Sequence, residues 1–295
     1  MSVISMTGRG TGTATNSLAR VEVELSSVNR KSLDIAVSLP RPLASFEAPI
    51  QHQIQQALAR GRISGEIRVI WTPRARAASV RVDESLARAH LEALRAAARK
   101  LGLPDNLQAS CLLELPDVLG VEQRPAELDR LMPLIKKALA AALTQLQTMR
   151  RREGAALSRD LTKRLTTLGR ATGHIETRAP GVAVRYREAL LARLRDALPN
   201  AELVDDERMV KEMALFADRS DITEELVRLR SHLAQARDLL QTGGVIGRTL
   251  DFLVQEMGRE INTIGAKAND GDITRRVIDV KAELERIREQ VQNIE

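Results

Sequence analysis

Aromatic side chains are nearly absent from this 295-residue chain. Phe, Trp and Tyr make up 2% of it, at Phe46, Trp71, Tyr186, Phe216 and Phe252. So scattered a set excludes a sheet face on which nucleic-acid bases stack, and any RNA would have to be held through charge and shape. Cysteine is scarcer still. With Cys111 alone, there is no internal disulfide framework and no Cys-rich zinc or iron–sulfur site within one chain. A reducing cytoplasm is the simplest compartment for such a chain. No uncharged apolar run reaches the roughly 18 residues of a membrane span. The opening Met1 to Gly12 has no basic stretch leading into an apolar one, so no secretory leader and no membrane partner are expected.

Hydrophobic residues reach 43% and charged residues 28%, enough apolar surface for an ordinary core and against wholesale disorder. The length suggests about two domains. Lys and Arg number 45 against 39 Asp and Glu, a net charge of +6. The excess is modest, but its sign favours an anionic partner. Most of the basic residues are arginines, whose planar fork can hold a phosphate through two parallel hydrogen bonds.

The first third alternates. Val21, Val23 and Leu25 face one way, and Arg20, Glu22 and Glu24 the other, which is the period of a half-buried strand. Leu33, Ile35, Val37 and Leu39 repeat it up to Pro40. Residues 49–58 suit a short helix, 63–71 another strand and Val80-Arg81-Val82 a short one. Helical patterns then take over at 84–101, 125–168 (one helix, or two parted near Gly154), 181–198, 205–216, 221–240, 245–264 and 273–294. The expected class is α+β: an N-terminal mixed, largely antiparallel sheet with helices, followed by long helices and an all-α C-terminal domain. The expected boundaries are 1–155, a helical connector at 156–204, and 205–295 carrying the active site. Apolar stripes on long thin helices also suggest cover by another copy of the chain.

The glycine-rich start, Met6-Thr7-Gly8-Arg9-Gly10-Thr11-Gly12, lacks the preceding strand and following helix that a phosphate-cradling loop needs. It reads as a first strand or turn whose glycines allow close backbone approach. The 221–240 segment is more informative. Asp221 suits an N-cap, and Ile222, Leu226, Leu229, Leu233 and Leu240 form an apolar stripe. At about 100° per residue, Asp221, Glu225, Arg228 and His232 share one edge of that stripe. Glu224 lies further round. The spacing also permits mere helix-stabilising pairs, Glu225 with Arg228 and Glu224 with Arg228.

In the next helix Leu250, Leu253, Val254, Met257, Ile261 and Ile264 form the buried stripe, with Glu256, Glu260 and Lys267 on one flank and Asp251, Gln255, Arg259 and Asn262 on the other. If the two helices pair, Glu256 or Glu260 approaches the Asp221–Glu225–His232 edge. Carboxylates with an imidazole suit Mn²⁺ or Mg²⁺, with Asp221, Glu225, His232, Glu256 and Glu260 as candidate ligands. Arg228, Arg259 and Lys267 can neutralise charge on a phosphate under attack. Glu225, His232, Glu256, Arg228 and Arg259 are the candidate catalytic residues. Arg9, Arg30, Lys31, Arg62, Arg248 and Lys267 are candidates for guiding RNA. No Ser-His-Asp order is present, and His90 and His174 sit in Arg-rich helices without a motif.

Several runs together resemble the YicC-like endoribonuclease family. They are Ser5-Met6-Thr7-Gly8, Glu24 to Asn29, Leu39-Pro40, Arg60-Gly61 and Arg152-Glu153-Gly154. They continue with Asp221 to Leu229 and Ser231-His232, Gly247 to Met257, Arg259 to Thr263, Lys267, and Val291 to Glu295. The resemblance spans nearly the whole chain. It implies a cytoplasmic, metal-dependent endoribonuclease acting on RNA, including small RNA, built as a ring-like hexamer. It differs from the usual family pattern at Arg30-Lys31-Ser32, where an imidazole or amide, an arginine and an aromatic are customary, and at Gly258, where asparagine is. The alternative is a non-catalytic oligomeric RNA-binding or adaptor protein.

Overall fold

The computed structural model describes residues 3–78, 80–104, 108–121, 128–197 and 206–295. The chain divides into two compact units, one of residues 9–147 and one of residues 1–8 with 148–295.

The 9–147 unit is built on a four-stranded sheet. Strands β1 (Gly8–Thr15), β2 (Ala19–Val28), β3 (Asp34–Ser38) and β4 (Arg62–Trp71) lie in the order β1-β2-β4-β3. β2 pairs antiparallel with β4, Val23 opposite Ile67, and β3 pairs parallel with β4. Helix α1 (Glu47–Ala57) makes the crossover between β3 and β4 that a parallel pair requires. The period-two alternation is realised: Val21, Val23 and Leu25 are buried while their neighbours are more exposed. They share a core with Ile63, Ile67, and Ile50 and Ile54 of α1.

After the short helix α2 (Pro73–Ala78), Val80–Val82 forms β5. It joins not the main sheet but a second, two-stranded one with β6 (Leu119–Val121), an element not expected from the sequence. Between them runs α3 (Glu84–Leu101). Asp83 caps its start by accepting the Leu86 amide, and Gly102 ends it in the left-handed conformation.

Helix α4 (Met132–Arg178) is continuous through Gly154, which decides the question of one helix or two. Its early turns supply Ile135, Leu139 and Leu146 to the sheet's core. They also explain the glycine-rich start. A Cβ on Gly12 would lie 2.0 Å from the Ala138 carbonyl oxygen, and one on Gly10 2.1 Å from that of Ala142. The glycines let β1 press against a helix backbone. Gly154, in the other unit, plays the same part, since its Cβ would lie 2.2 Å from the Val3 carbonyl oxygen.

The second unit contains the rest of α4, then α5 (Val182–Ala197), α6 (Asp206–Arg219), α7 (Thr223–Thr242), α8 (Gly247–Lys267) and α9 (Gly271–Val291). The expected stripes of α7 and α8 are buried throughout, and α9 adds Ile273, Val277, Val280, Leu284, Ile287 and Val291. Tyr186 of α5 stacks on Phe216 of α6, with ring centroids 3.6 Å apart. Among the described residues no helix is long and apolar enough to cross a membrane.

Candidate active site

Four residues, 243–246, join α7 to α8, so the two helices fold back on each other. Two cross-helix ion pairs fix the register. Lys267 Nζ donates to Glu225 Oε1 at 2.8 Å, and Arg228 Nη1 lies 3.8 Å from Glu260 Oε1. Advancing three residues along α7 thus means receding along α8, as antiparallel packing demands. The same register sets His232 level with Glu256. Glu225 and Arg228 on one helix therefore meet Lys267 and Glu260 on the other along one seam, and the same register extends it toward His232 and Glu256.

Burial gives this seam its chemistry. Glu225 and Glu260 are each only 8% exposed, set among leucines and isoleucines. A carboxylate in such a place must be paired or its desolvation is uncompensated. Glu225 is only half satisfied: Oε1 holds Lys267, while Oε2 is buried with no hydrogen-bond partner among the described residues, as is Nδ1 of His232. The Glu225 hydrogen bond raises the Lys267 ammonium pKa above its ordinary value, and the charges of Asp221 and Glu224 act the same way. Three acidic groups of the α7 start thus act on one ammonium.

Asp221 does not occupy the cap position itself. Ile222 does, and Asp221, one residue earlier, accepts the Thr223 amide at 2.9 Å and its hydroxyl at 2.6 Å. These bonds, the hydroxyl's first, hold the Asp221 carboxyl below the usual carboxylate range. Arg228 also reaches Glu224 at 3.4 Å, and Glu256 accepts from Arg259 on its own helix at 2.6 Å.

The five candidate metal ligands are not gathered into one set. Among the described residues no three His, Cys, Asp or Glu side chains come together as a ligand group. Glu225 and His232 stand two helical turns apart, about 10.5 Å along the axis at 1.5 Å per residue. Two donors on one Mg²⁺ at about 2.1 Å each can be only about 4 Å apart. Nor do all the candidates share a cavity. Asp221 lines one of about 700 Å³ with Pro180, Ile222 and Leu226, and Arg259 lines another of about 450 Å³ with Asn262, Lys281 and Arg288.

The candidate RNA guides fall in both units. Arg30 and Arg62 converge on Asp34, the latter at 3.7 Å, with Lys31 exposed beside them. Arg60, part of the Arg60-Gly61 run but not among the candidate RNA guides, joins them by donating to the Arg30 carbonyl at 3.3 Å. Arg9 pairs with Glu24. Arg248 is exposed in the first turn of α8.

Comparison with known proteins now bears on this geometry. Residues 3–159 match the description "Endoribonuclease YicC-like, N-terminal region", and residues 175–295 match "Endoribonuclease YicC-like, C-terminal". The chain belongs to the YicC-like endoribonuclease family. A relative from Clostridioides difficile (strain 630), named "Probable endoribonuclease YicC", is 35% identical over 292 residues, 99% of each chain. One of the same name from Haemophilus influenzae (strain KW20) is 33% identical over 272 residues, 92% of each. The whole α7–α8 seam lies within the family's C-terminal region, and the Arg30–Arg62 cluster within its N-terminal one.

Proposed function

We propose that this chain is an endoribonuclease whose active centre is the α7–α8 seam and whose substrates include small RNAs. The observation that carries this reading is a pair of buried atoms, Glu225 Oε2 and His232 Nδ1, that have no hydrogen-bond partner among the described residues, on a seam otherwise made of ion pairs. Buried polar groups are almost always satisfied in folded proteins, so two exceptions along one seam point to a task other than stability. The names carried by full-length relatives agree with that task.

Arg228 and Lys267 now spend their charge on Glu224, Glu260 and Glu225. An RNA phosphate can take these cations over, with Arg228 offering its fork and Lys267 a point charge. His232 takes or returns a proton at Nδ1, and Glu256 stands level with it to steady the charged imidazole. Arg259 is held by Glu256 beside this point and adds positive charge there.

Metal dependence is part of the proposal in a limited form. Mg²⁺ and Mn²⁺ need only one or two protein carboxylates when phosphate oxygens and water complete the shell. Glu225, whose buried Oε2 has no partner among the described residues, would supply one such carboxylate, whereas His232 does not fit the same ion. Such an ion would polarise a phosphate oxygen. The proposed working form is a cytoplasmic homohexamer. Large exposed apolar residues such as Leu101, Leu103 and Leu113 support cover by further copies.

The test is cleavage of a structured small RNA with Mn²⁺ and then with EDTA, by wild type and by the double variant Glu225→Ala, Glu256→Ala, with assembly checked by light scattering. Cleavage lost with binding and assembly intact supports the reading. Equal turnover in EDTA removes the ion from it. Full activity in the double variant overturns the seam as the active centre. The second reading, an RNA-binding or adaptor assembly, is favoured by the complete ion pairing of Arg228, Arg259 and Lys267. It predicts no cleavage by the wild type and lost assembly in the double variant.

A further inference from the structure

Away from the seam, the end of α4, the start of α5 and the first turns of α9 surround a cavity of about 800 Å³. That volume lies in the range of about 300–1,000 Å³ typical of ligand sites. His174, Arg178, Arg185, Arg275 and Arg276 line it, together with Asp272. None of the seam residues does.

One buried carboxylate organises the cavity. Asp270, with a side chain only 7% exposed, accepts from Arg178 Nε through Oδ1 at 2.8 Å and from Arg185 Nε through Oδ2 at 3.0 Å. The same Oδ1 accepts the amides of Asp272 and Ile273, so the carboxylate is fixed as the cap of α9. Arg185 also donates to the Arg178 carbonyl at 3.0 Å, and Arg178 reaches Asp272 at 2.7 Å. Two guanidinium groups are thus locked side by side by their Nε edges. Arg275 and Arg276, on the rim, pair with Asp272 at 2.6 Å and Asp279 at 3.6 Å.

Four guanidinium groups therefore line the cavity beside two carboxylates, Asp272 and Asp279, while Asp270 is buried behind Arg178 and Arg185 and holds them in place. Convergence of like charges is unfavourable unless an anion relieves it. Arginine forks fixed beforehand by a carboxylate lose little freedom when they bind a phosphate, whose geometry they match. We propose that this cavity is a phosphate-binding site and that it takes a phosphodiester of the RNA strand whose cleavage occurs at the seam. It gives the substrate a second hold, and it rests on the reading of this chain as an RNA enzyme.

The experiment uses the full chain and a 2′-O-methyl RNA in EDTA, which blocks both 2′-hydroxyl attack and metal-assisted hydrolysis, with affinity read by fluorescence anisotropy over a series of salt concentrations. Arg275→Gln with Arg276→Gln alters two exposed side chains whose ion pairs, with Asp272 and Asp279, lie within α9, so folding is expected to be retained. The expected result is binding weakened about tenfold or more, with the slope of log K against log salt reduced by up to about 2. Arg185→Gln weakens binding as well, and Arg185→Lys does not restore it, because lysine lacks the fork. Arg286→Gln, on the same helix but outside the cavity, leaves affinity nearly unchanged.

A parallel arm titrates inorganic phosphate and follows the melting temperature. Phosphate that stabilises wild type but not Arg185→Gln, with RNA affinity equal in all variants, assigns the cavity to a free phosphate and overturns the strand. Equal RNA affinity and no phosphate effect overturn the site altogether. A wild type that binds no RNA defeats the endoribonuclease reading, and the phosphate arm still reports on the cavity.

Discussion

At the scale of single residues, position and burial decide what an ionisable group does. Asp270 is the clearest case. The Arg178 hydrogen bond holds its carboxyl down from 3.8 to about 2. A depressed carboxylate contributes stability that is complete above the unfolded value and is lost as pH falls through the folded one. The window is thus from about pH 4 down to about pH 2. The contribution is at most about 2 kcal/mol, since Arg178 and Arg185 are themselves more than a third exposed. Asp270→Asn should be less stable than wild type in urea at pH 6, and most of the gap should be gone by pH 2. A gap constant across that range would mean that the ion pairs contribute nothing. His232 belongs at the same scale. His232→Gln removes the proposed proton carrier while keeping a polar side chain, and on that proposal RNA cleavage should fall about 10²-fold or more with RNA affinity little changed. Unchanged turnover would assign the orphan Nδ1 to structure.

The seam residues were legible because they obey a single period. Glu225, Arg228 and His232 recur at three- and four-residue steps along one helix, and a short loop forces the next helix to return beside it. The Asp270 network was not legible, because its partners Arg178 and Arg185 lie 92 and 85 residues away with no pattern joining them. Its only local sign was an Asp before a helix start, which is ordinary capping chemistry.

Between elements, the decisive contacts are backbone against backbone. The opening glycines read from the sequence as a first strand or turn able to approach something closely, and their partner is α4. That partner could not be named in advance, because a glycine records only that room is needed. Gly12→Ala would drive a methyl to within 2.0 Å of the Ala138 oxygen. Relieving the clash means shifting strand or helix, a destabilisation of about 1–3 kcal/mol. Chemical denaturation measures this directly. A neutral effect would show that β1 does not rest on α4 as described. The antiparallel pair β5–β6 teaches the converse. Val80 to Val82 was recognisable as a strand, but the placement of three residues in one sheet or another depends on the partner, and β6 carries only three residues to announce itself.

Taken as a whole, the chain holds two separate cores, and each has its own tie. In the unit of residues 1–8 and 148–295 that tie is Arg150. It is 3% exposed, donates to the Ser5 carbonyl at 2.6 Å and bonds the Glu295 carboxylate at 2.8 Å. Through these contacts the first segment, α4 and the last residues are held together; the Glu295 amide completes the join by donating to the Ile4 carbonyl at 3.0 Å. Removing one partner of a buried pair leaves the other charge uncompensated, at a cost of about 3–5 kcal/mol. Arg150→Ala should therefore weaken its own unit strongly. Separate cores imply that the loss is local, because distant sites without shared partners act independently. Hydrogen exchange followed by mass spectrometry distinguishes the cases. Arg150→Ala should speed exchange in α7, α8 and α9 while β2 and β4 keep their protection, and Gly12→Ala should do the reverse. If either substitution accelerates exchange equally in both sets, the two units unfold as one cooperative body.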